Sequence, residues 1–147
     1  NVTLGNSVTS IGSYAFQYCT NLTEAYFRGN APSLGADLFL GDNQAIVYYL
    51  PGTTGWGATY GGRPTAQWWL PNPVILNIGP GFGGQTNGFG FIISWATNAS
   101  VVVEASTNLT NPIWSPLQTK TLTDGSAYFG DPQWTNYPGR FYRLRSP

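Results

Sequence analysis

The chain has 147 residues, enough for one ordinary domain or two small ones. Six Lys plus Arg balance six Asp plus Glu, so the formal net charge is zero and only 8% of residues are charged. That composition argues against nucleic acid and anionic membrane as partners, because both are held by clustered cations. Histidine is absent, which excludes Ser-His-Asp, Cys-His and His-ligated metal chemistry.

Nineteen glycines, eleven prolines and 16% aromatics, set among strings of Thr, Ser and Asn, describe a mainly β chain dense in turns. No stretch approaches the roughly 20 apolar residues of a transmembrane helix, so no membrane insertion is expected. The single cysteine, Cys19, has no internal disulfide partner and reads as a small core hydrophobe.

From the amino terminus, the apolar runs Val2-Thr3-Leu4 and Ala25-Tyr26-Phe27 align at an offset of 23 residues, and Ile46-Val47-Tyr48 follows about 21 residues later. A period of that length belongs to leucine-rich repeats, in which each unit is one coil of a solenoid. Between the first two runs, Val8, Ile11, Ala15, Phe16, Cys19 and Leu22 are spaced by three and four, which predicts a short helical turn facing inward.

Ser7 to Thr23 resembles the BspA-type leucine-rich repeat, whose hallmark runs "S-V-T-x-I-G-x-x-A-F-x-x-C-x-x-L-T". The unit beginning at Ala25 keeps a strand and offers Leu34, Leu38 and Phe39 as inward residues. It reads as a degenerate terminal repeat without the "I-G-x-x-A-F" core. Tyr48 to Gly57 and Gly61 to Ala66 resemble the endings of such arrays in bacterial surface proteins. The resemblance covers roughly residues 2 to 70, within a first domain of residues 1–70, and implies an extracellular or cell-surface protein used in adhesion, with no catalytic residues and no cofactor.

Physically, Trp56, Tyr60, Trp68 and Trp69 offer either a cap on the last coil or a flat aromatic platform for pyranose rings. The chain opens inside a strand, so Val2, Leu4, Val8 and Ile11 form a rung that nothing before them covers. Taking about 400 Å² of apolar area for that end, at roughly 25 cal/mol per Å², exposure forfeits on the order of 10 kcal/mol. The rung is therefore expected to lie against further repeats of a longer chain or against a second copy. A head-to-tail contact that does not close makes a filament.

Residues 71–88 are rich in Pro and Gly and read as a linker containing a strand from Val74. Beyond it, Phe89, Phe91, Ile93 and Trp95 alternate on one face, and Val101 to Ser106 follows a turn at Ala96 to Ala99. Leu117 to Leu122 is expected to pair with Ala127 to Phe129 across Thr123-Asp124-Gly125-Ser126, since Asp-Gly is a hairpin signal. Arg140 to Arg145 alternates without revealing its inward side. Six or seven short strands spaced by about ten residues predict that residues 89–147 form an immunoglobulin- or fibronectin-like antiparallel β-sandwich. The segments 103–109, 114–117 and 128–145 resemble carboxy-terminal modules of secreted proteins from Verrucomicrobia-like bacteria.

The carboxylates read as structural. Asp42, Asp124 and Asp131 sit in turns, and Glu104 is expected to point outward from a strand. Asp37, Asp42 and Asn43 lack the spacing of a calcium loop, and no metal site is expected. The Asn-x-Ser/Thr sequences at Asn1, Asn21, Asn98 and Asn108 are read as chance matches. The reading reached is a non-catalytic extracellular structural or adhesive protein that associates with itself head-to-tail through Val2, Leu4, Val8 and Ile11. The alternative is a monomeric adhesin module binding glycans or neighbouring surface proteins.

Overall fold

A computed structural model describes all 147 residues, 42% of them in strands and only three in a 3-10 turn. The chain divides into two compact units, Asn1–Trp69 and Leu70–Pro147.

The first unit is a stack of solenoid-like coils. Strands β1 (Val2–Leu4), β3 (Glu24–Phe27), β5 (Ile46–Tyr49) and β7 (Arg63–Gln67) lie side by side in parallel, each supplied by the next coil. Val2 registers with Ala25, Ala25 with Val47, and Val47 with Thr65. A short antiparallel strand β6 (Thr59–Tyr60) closes the far edge against β7. Across the coil, β2 (Ser10–Ile11) pairs in parallel with β4 (Ser33–Leu34).

Backbone bonds join coil to coil around the circumference as well. Arg28 N–H donates to the Leu4 carbonyl, Gly35 to Ile11, Tyr14 to Ala36, Phe16 to Leu38 and Tyr18 to Leu40, at 2.7–3.1 Å. Each coil thus satisfies the polar backbone of its neighbour, which a buried irregular segment requires.

The stretch predicted to be helical is a run of tight turns instead. Tyr14 and Tyr18 take left-handed backbone (φ 62° and 54°), and Gln17, Cys19 and Leu22 donate back three residues. A left-handed residue every fourth position prevents α-helix from propagating. The turns send Phe16 and Leu22 inward but leave Ala15 and Cys19 exposed, so Cys19 is not a core residue.

The second coil is less degenerate than its sequence looks. Asp37 and Gly41 repeat the left-handed positions of Tyr14 and Tyr18 (φ 52° and 90°). Leu34 registers with Ile11, and Leu38 and Phe39 are buried. Leu34-Gly35-Ala36-Asp37-Leu38-Phe39 therefore occupies the place of Ile11-Gly12-Ser13-Tyr14-Ala15-Phe16, although Leu34 itself is exposed rather than inward. Ala25, Phe27, Leu38, Phe39, Ala45, Val47 and Tyr60 make the sealed core of this unit.

The second unit contains two antiparallel sheets. Strand β10 (Gly88–Ser94) pairs with β13 (Ser126–Asp131) and with β8 (Val74–Leu76), and at its start with β9 (Gly83–Gln85). Strand β11 (Ala99–Ser106) is flanked by β12 (Ser115–Leu122) and β14 (Phe141–Arg145). Phe91, Ile93 and Phe129 from one sheet and Val101, Val103 and Leu122 from the other share one apolar cluster. The strand expected from Val74 forms at Val74–Leu76, Gly83–Gln85 is a further strand, and both, placed in a linker by their composition, belong to this unit.

The expected hairpin between β12 and β13 does not form. The turn at Asp124-Gly125 exists, but β12 pairs with β11 and β13 with β10, so the chain steps from one sheet to the other. The same step occurs between β10 and β11. The two crossings are bonded together, Trp95 N–H to the Gly125 carbonyl and Asn98 N–H to the Leu122 carbonyl, at 2.8 and 2.7 Å. Leu122, on the inner side of one crossing, is fully buried. Burying it and Phe129 from opposite sheets removes more apolar surface from water than a flat two-stranded ribbon does.

Candidate functional site

Alternation along the strands of the first unit decides which aromatic rings remain available. Ala25, Phe27 and Val47 point into the core, so Tyr26 and Tyr48 point to the other face of the parallel sheet. They are register partners, and their rings stack with centroids 5.1 Å apart and planes 19° from parallel.

Trp68 follows β7, and its backbone N–H donates to the Tyr49 carbonyl at 2.7 Å. Its ring lies 4.8 Å from that of Tyr26, and the Arg28 guanidinium sits 5.6 Å from its centroid. All three rings are only partly buried. Desolvation raises the Tyr26 phenol above its ordinary pKa, helped by a hydrogen bond to the Glu24 carboxylate. The result is a row of aromatic rings with one acid and one base at its margin, two of the rings carried by β3 and β5.

The platform expected from Trp56, Tyr60, Trp68 and Trp69 is split. Trp56 stacks on Tyr49 (5.2 Å, 8°) and meets Phe27 and Tyr60, while its Nε1 donates to Thr53 Oγ1 at 2.9 Å. Tyr60 is buried, and its hydroxyl donates to the Pro32 carbonyl at 2.9 Å. Burial raises that phenol to about 12. Trp56 and Tyr60 therefore close the end of the stack from inside, Trp68 alone joins the outer face, and Trp69 is exposed. Tyr26 and Tyr48 were missed, although equivalent places in successive repeats and strand alternation mark them.

At the opposite edge, Val2, Leu4 and Val8 are partly buried against the core, and Ile11 is buried. The outer side of β1 pairs with no strand.

Asp124 lies in its expected turn and Asp42 in a turn segment, but Asp131 ends β13, and Asp42, Glu104 and Asp131 are all buried. Glu104 alternates away from the apolar cluster, yet it is 5% exposed because Arg143 and Arg145 lie over it, each Nε donating to one carboxylate oxygen at 2.7 and 2.9 Å. Asp131 is also buried, accepting from Tyr142 Oη, Arg140 Nε and the Gln133 N–H. Asp42 is enclosed with neither carboxylate oxygen hydrogen-bonded, whereas Asp37 is exposed. No three His, Cys, Asp or Glu side chains converge.

The chain matches no protein-family model, no curated protein and no solved structure.

Proposed function

We propose that the protein is a non-catalytic, extracellular adhesive module whose ligand-contact face is the outer side of the first unit's parallel sheet. The observation carrying this reading is the stacked Tyr26–Tyr48 pair continued by Trp68. Flat rings on a rigid strand surface match the C–H faces of pyranoses at low ordering cost, and the sparse charge suits a neutral ligand. Glycans are the favoured class. The first unit is read as the end of a BspA-type leucine-rich-repeat array, a reading supported by the coil period and the hallmark at Ser7 to Thr23. That resemblance carries the cell-surface location. The two sheets of the second unit are read as an immunoglobulin- or fibronectin-like sandwich, supported by their shared apolar cluster.

A glycan array read with the full chain, followed by tryptophan-fluorescence titration of the hits, tests the proposal. Binding that is saturable and weakened at least tenfold by Tyr48→Ala and Trp68→Ala supports it. Absence of any hit, or hits indifferent to both substitutions, removes it.

A second reading has its own observation. Val2 and Leu4 are only partly covered where their register partners Ala25 and Phe27 are sealed, and the outer side of β1 is unpaired. That edge fits another coil of the same geometry, from a further repeat or from a second copy docking head-to-tail into a filament. Light scattering across a dilution series and electron microscopy distinguish self-association from a dispersed monomer.

A further inference from the structure

The two ends of the first unit's sheet differ. At the far end, β6 is two residues long and runs antiparallel to β7. Its apolar residue faces inward: Tyr60 is buried, its hydroxyl donates to the Pro32 carbonyl at 2.9 Å, and Trp56 packs beside it. At the near end, Val2 and Leu4 are only partly covered, although their register partners Ala25 and Phe27 are sealed. The Leu4 carbonyl accepts from the Arg28 N–H at 3.1 Å, so the polar backbone of Leu4 faces β3. Neighbouring residues of a strand turn their N–H and C=O to opposite sides, which leaves those of Thr3, the centre of β1, facing away from the sheet. The Thr3 side chain is exposed in register with Tyr26, and an added Cβ on Gly5, just beyond the strand, meets nothing within 4 Å.

We propose that this end binds a second copy of the chain head-to-head, β1 pairing antiparallel with the β1 of the partner copy about a two-fold axis at Thr3. The inference rests on the reading of the β1 side as a docking edge, and it gives that edge a direction. The central residue of a two-fold antiparallel pair exchanges both its N–H and its C=O with its own counterpart, and those are the two groups that Thr3 leaves free. The same axis sets Val2 against Leu4 of the partner copy, apolar against apolar, and keeps both cores on one side of a continuous sheet. A head-to-tail contact instead brings Val2 and Leu4 to an end whose rings are already enclosed and whose edge strand cannot continue a parallel ladder. Zero formal net charge sets up no repulsion between copies. An isologous contact closes on itself, so the product is a dimer and not a filament. One coil end on a three-residue strand is slight beside the roughly 800 Å² per partner of a standard interface, so the dimer dissociates on dilution.

The test is analytical ultracentrifugation of the full chain across a wide dilution series, beside Thr3→Pro, Thr3→Lys and Thr3→Glu. The natural chain is expected to pass from monomer to a plateau at twice the monomer mass. Thr3→Pro removes the outward N–H and spares the bond between Leu4 and Arg28, so it should weaken the dimer at least tenfold. Thr3→Lys and Thr3→Glu test the same contact without altering the backbone. Each sets like charges opposite one another across the axis and should weaken the dimer, while an equal mixture of the two should restore it. Restoration requires that residue 3 face its own counterpart, which a head-to-tail contact does not provide. Mass that climbs past the dimer without a plateau would overturn the two-fold contact and leave the docking edge standing. A dimer indifferent to all three variants, or a mixture that stays monomeric, would overturn the axis at Thr3. A natural chain that is monomeric at every concentration would remove the docking of a second copy altogether.

Discussion

Phe16 stacks on Phe39 with ring centroids 5.4 Å apart and planes only 15° from parallel. Two coils whose sequences have diverged thus place the same ring at the same level of the stack. Phe39 is 3% exposed, so its contribution is that of a sealed core aromatic. Phe39→Ala is expected to cost about 3–5 kcal/mol, measured as a shift in urea midpoint at unchanged m-value.

Gly12 and Gly35 are equivalent positions in successive coils with opposite tolerances. A Cβ on Gly35 meets the backbone of Ser13 and lies 2.6 Å from the Gly12 carbonyl carbon, whereas one on Gly12 meets nothing within 4 Å. Gly35→Ala forces backbone apart where Gly35 N–H donates to Ile11 and Ala36 N–H donates to Ser13 Oγ. It should destabilise by about 1–3 kcal/mol, while Gly12→Ala stays within about 0.5 kcal/mol. Equal Tm values for the two variants would contradict the close packing of coils.

Asp42 sets a pH dependence of one sign. Burial raises its pKa above the ordinary 3.8, with the Arg63 guanidinium opposing. Arg63 Nη1 donates to the Asp42 backbone carbonyl at 3.2 Å rather than to the carboxylate. The folded state therefore holds a proton that the unfolded state releases, and stability falls as pH rises from 3.8 through the folded value. Asp42→Asn removes that loss, so its Tm advantage over the natural chain should be absent in acid and grow toward neutrality. A difference curve that is flat with pH would refute the assignment.

Glu104 sets the opposite sign. Hydrogen bonds from Arg145 and then Arg143 lower its pKa below 4.5 despite desolvation. Its stabilisation is present above the unfolded value and is lost as pH falls through the folded one. Glu104→Gln should lower the Tm of the second unit at neutral pH, with the deficit vanishing in acid. Because both arginines are 47% exposed, high salt should shrink it further. Arg145→Gln should reproduce part of the effect.

The coil period and the core strand Phe89 to Trp95 were legible because both are local alternations repeated at fixed spacing. Phe91 and Ile93 are buried and Val2 registers with Ala25 as those patterns require, whereas the third run is shifted by one residue from the 21-residue spacing, Ala25 pairing with Val47 and not Ile46. The turn run at Tyr14 to Cys19 was not legible, since three- and four-residue spacings fit a helix equally well and left-handed tyrosines carry no sequence mark. The Asp124-Gly125 signal names a turn but not the strands it joins, because sheet membership depends on partners distant in the chain. For the same reason the cover over Glu104 was invisible, being supplied by Arg143 and Arg145 about forty residues later.

The paired crossings at residues 95–98 and 122–125 act as a clasp joining the two sheets of the second unit at one end, and residues 132–140 carry the chain between the same sheets at the other. The two passages at this end are hydrogen-bonded to each other, so local opening there must break bonds between the passages as well as within each sheet. The amides of Trp95 and Asn98 should accordingly be among the slowest in that unit to exchange with deuterium.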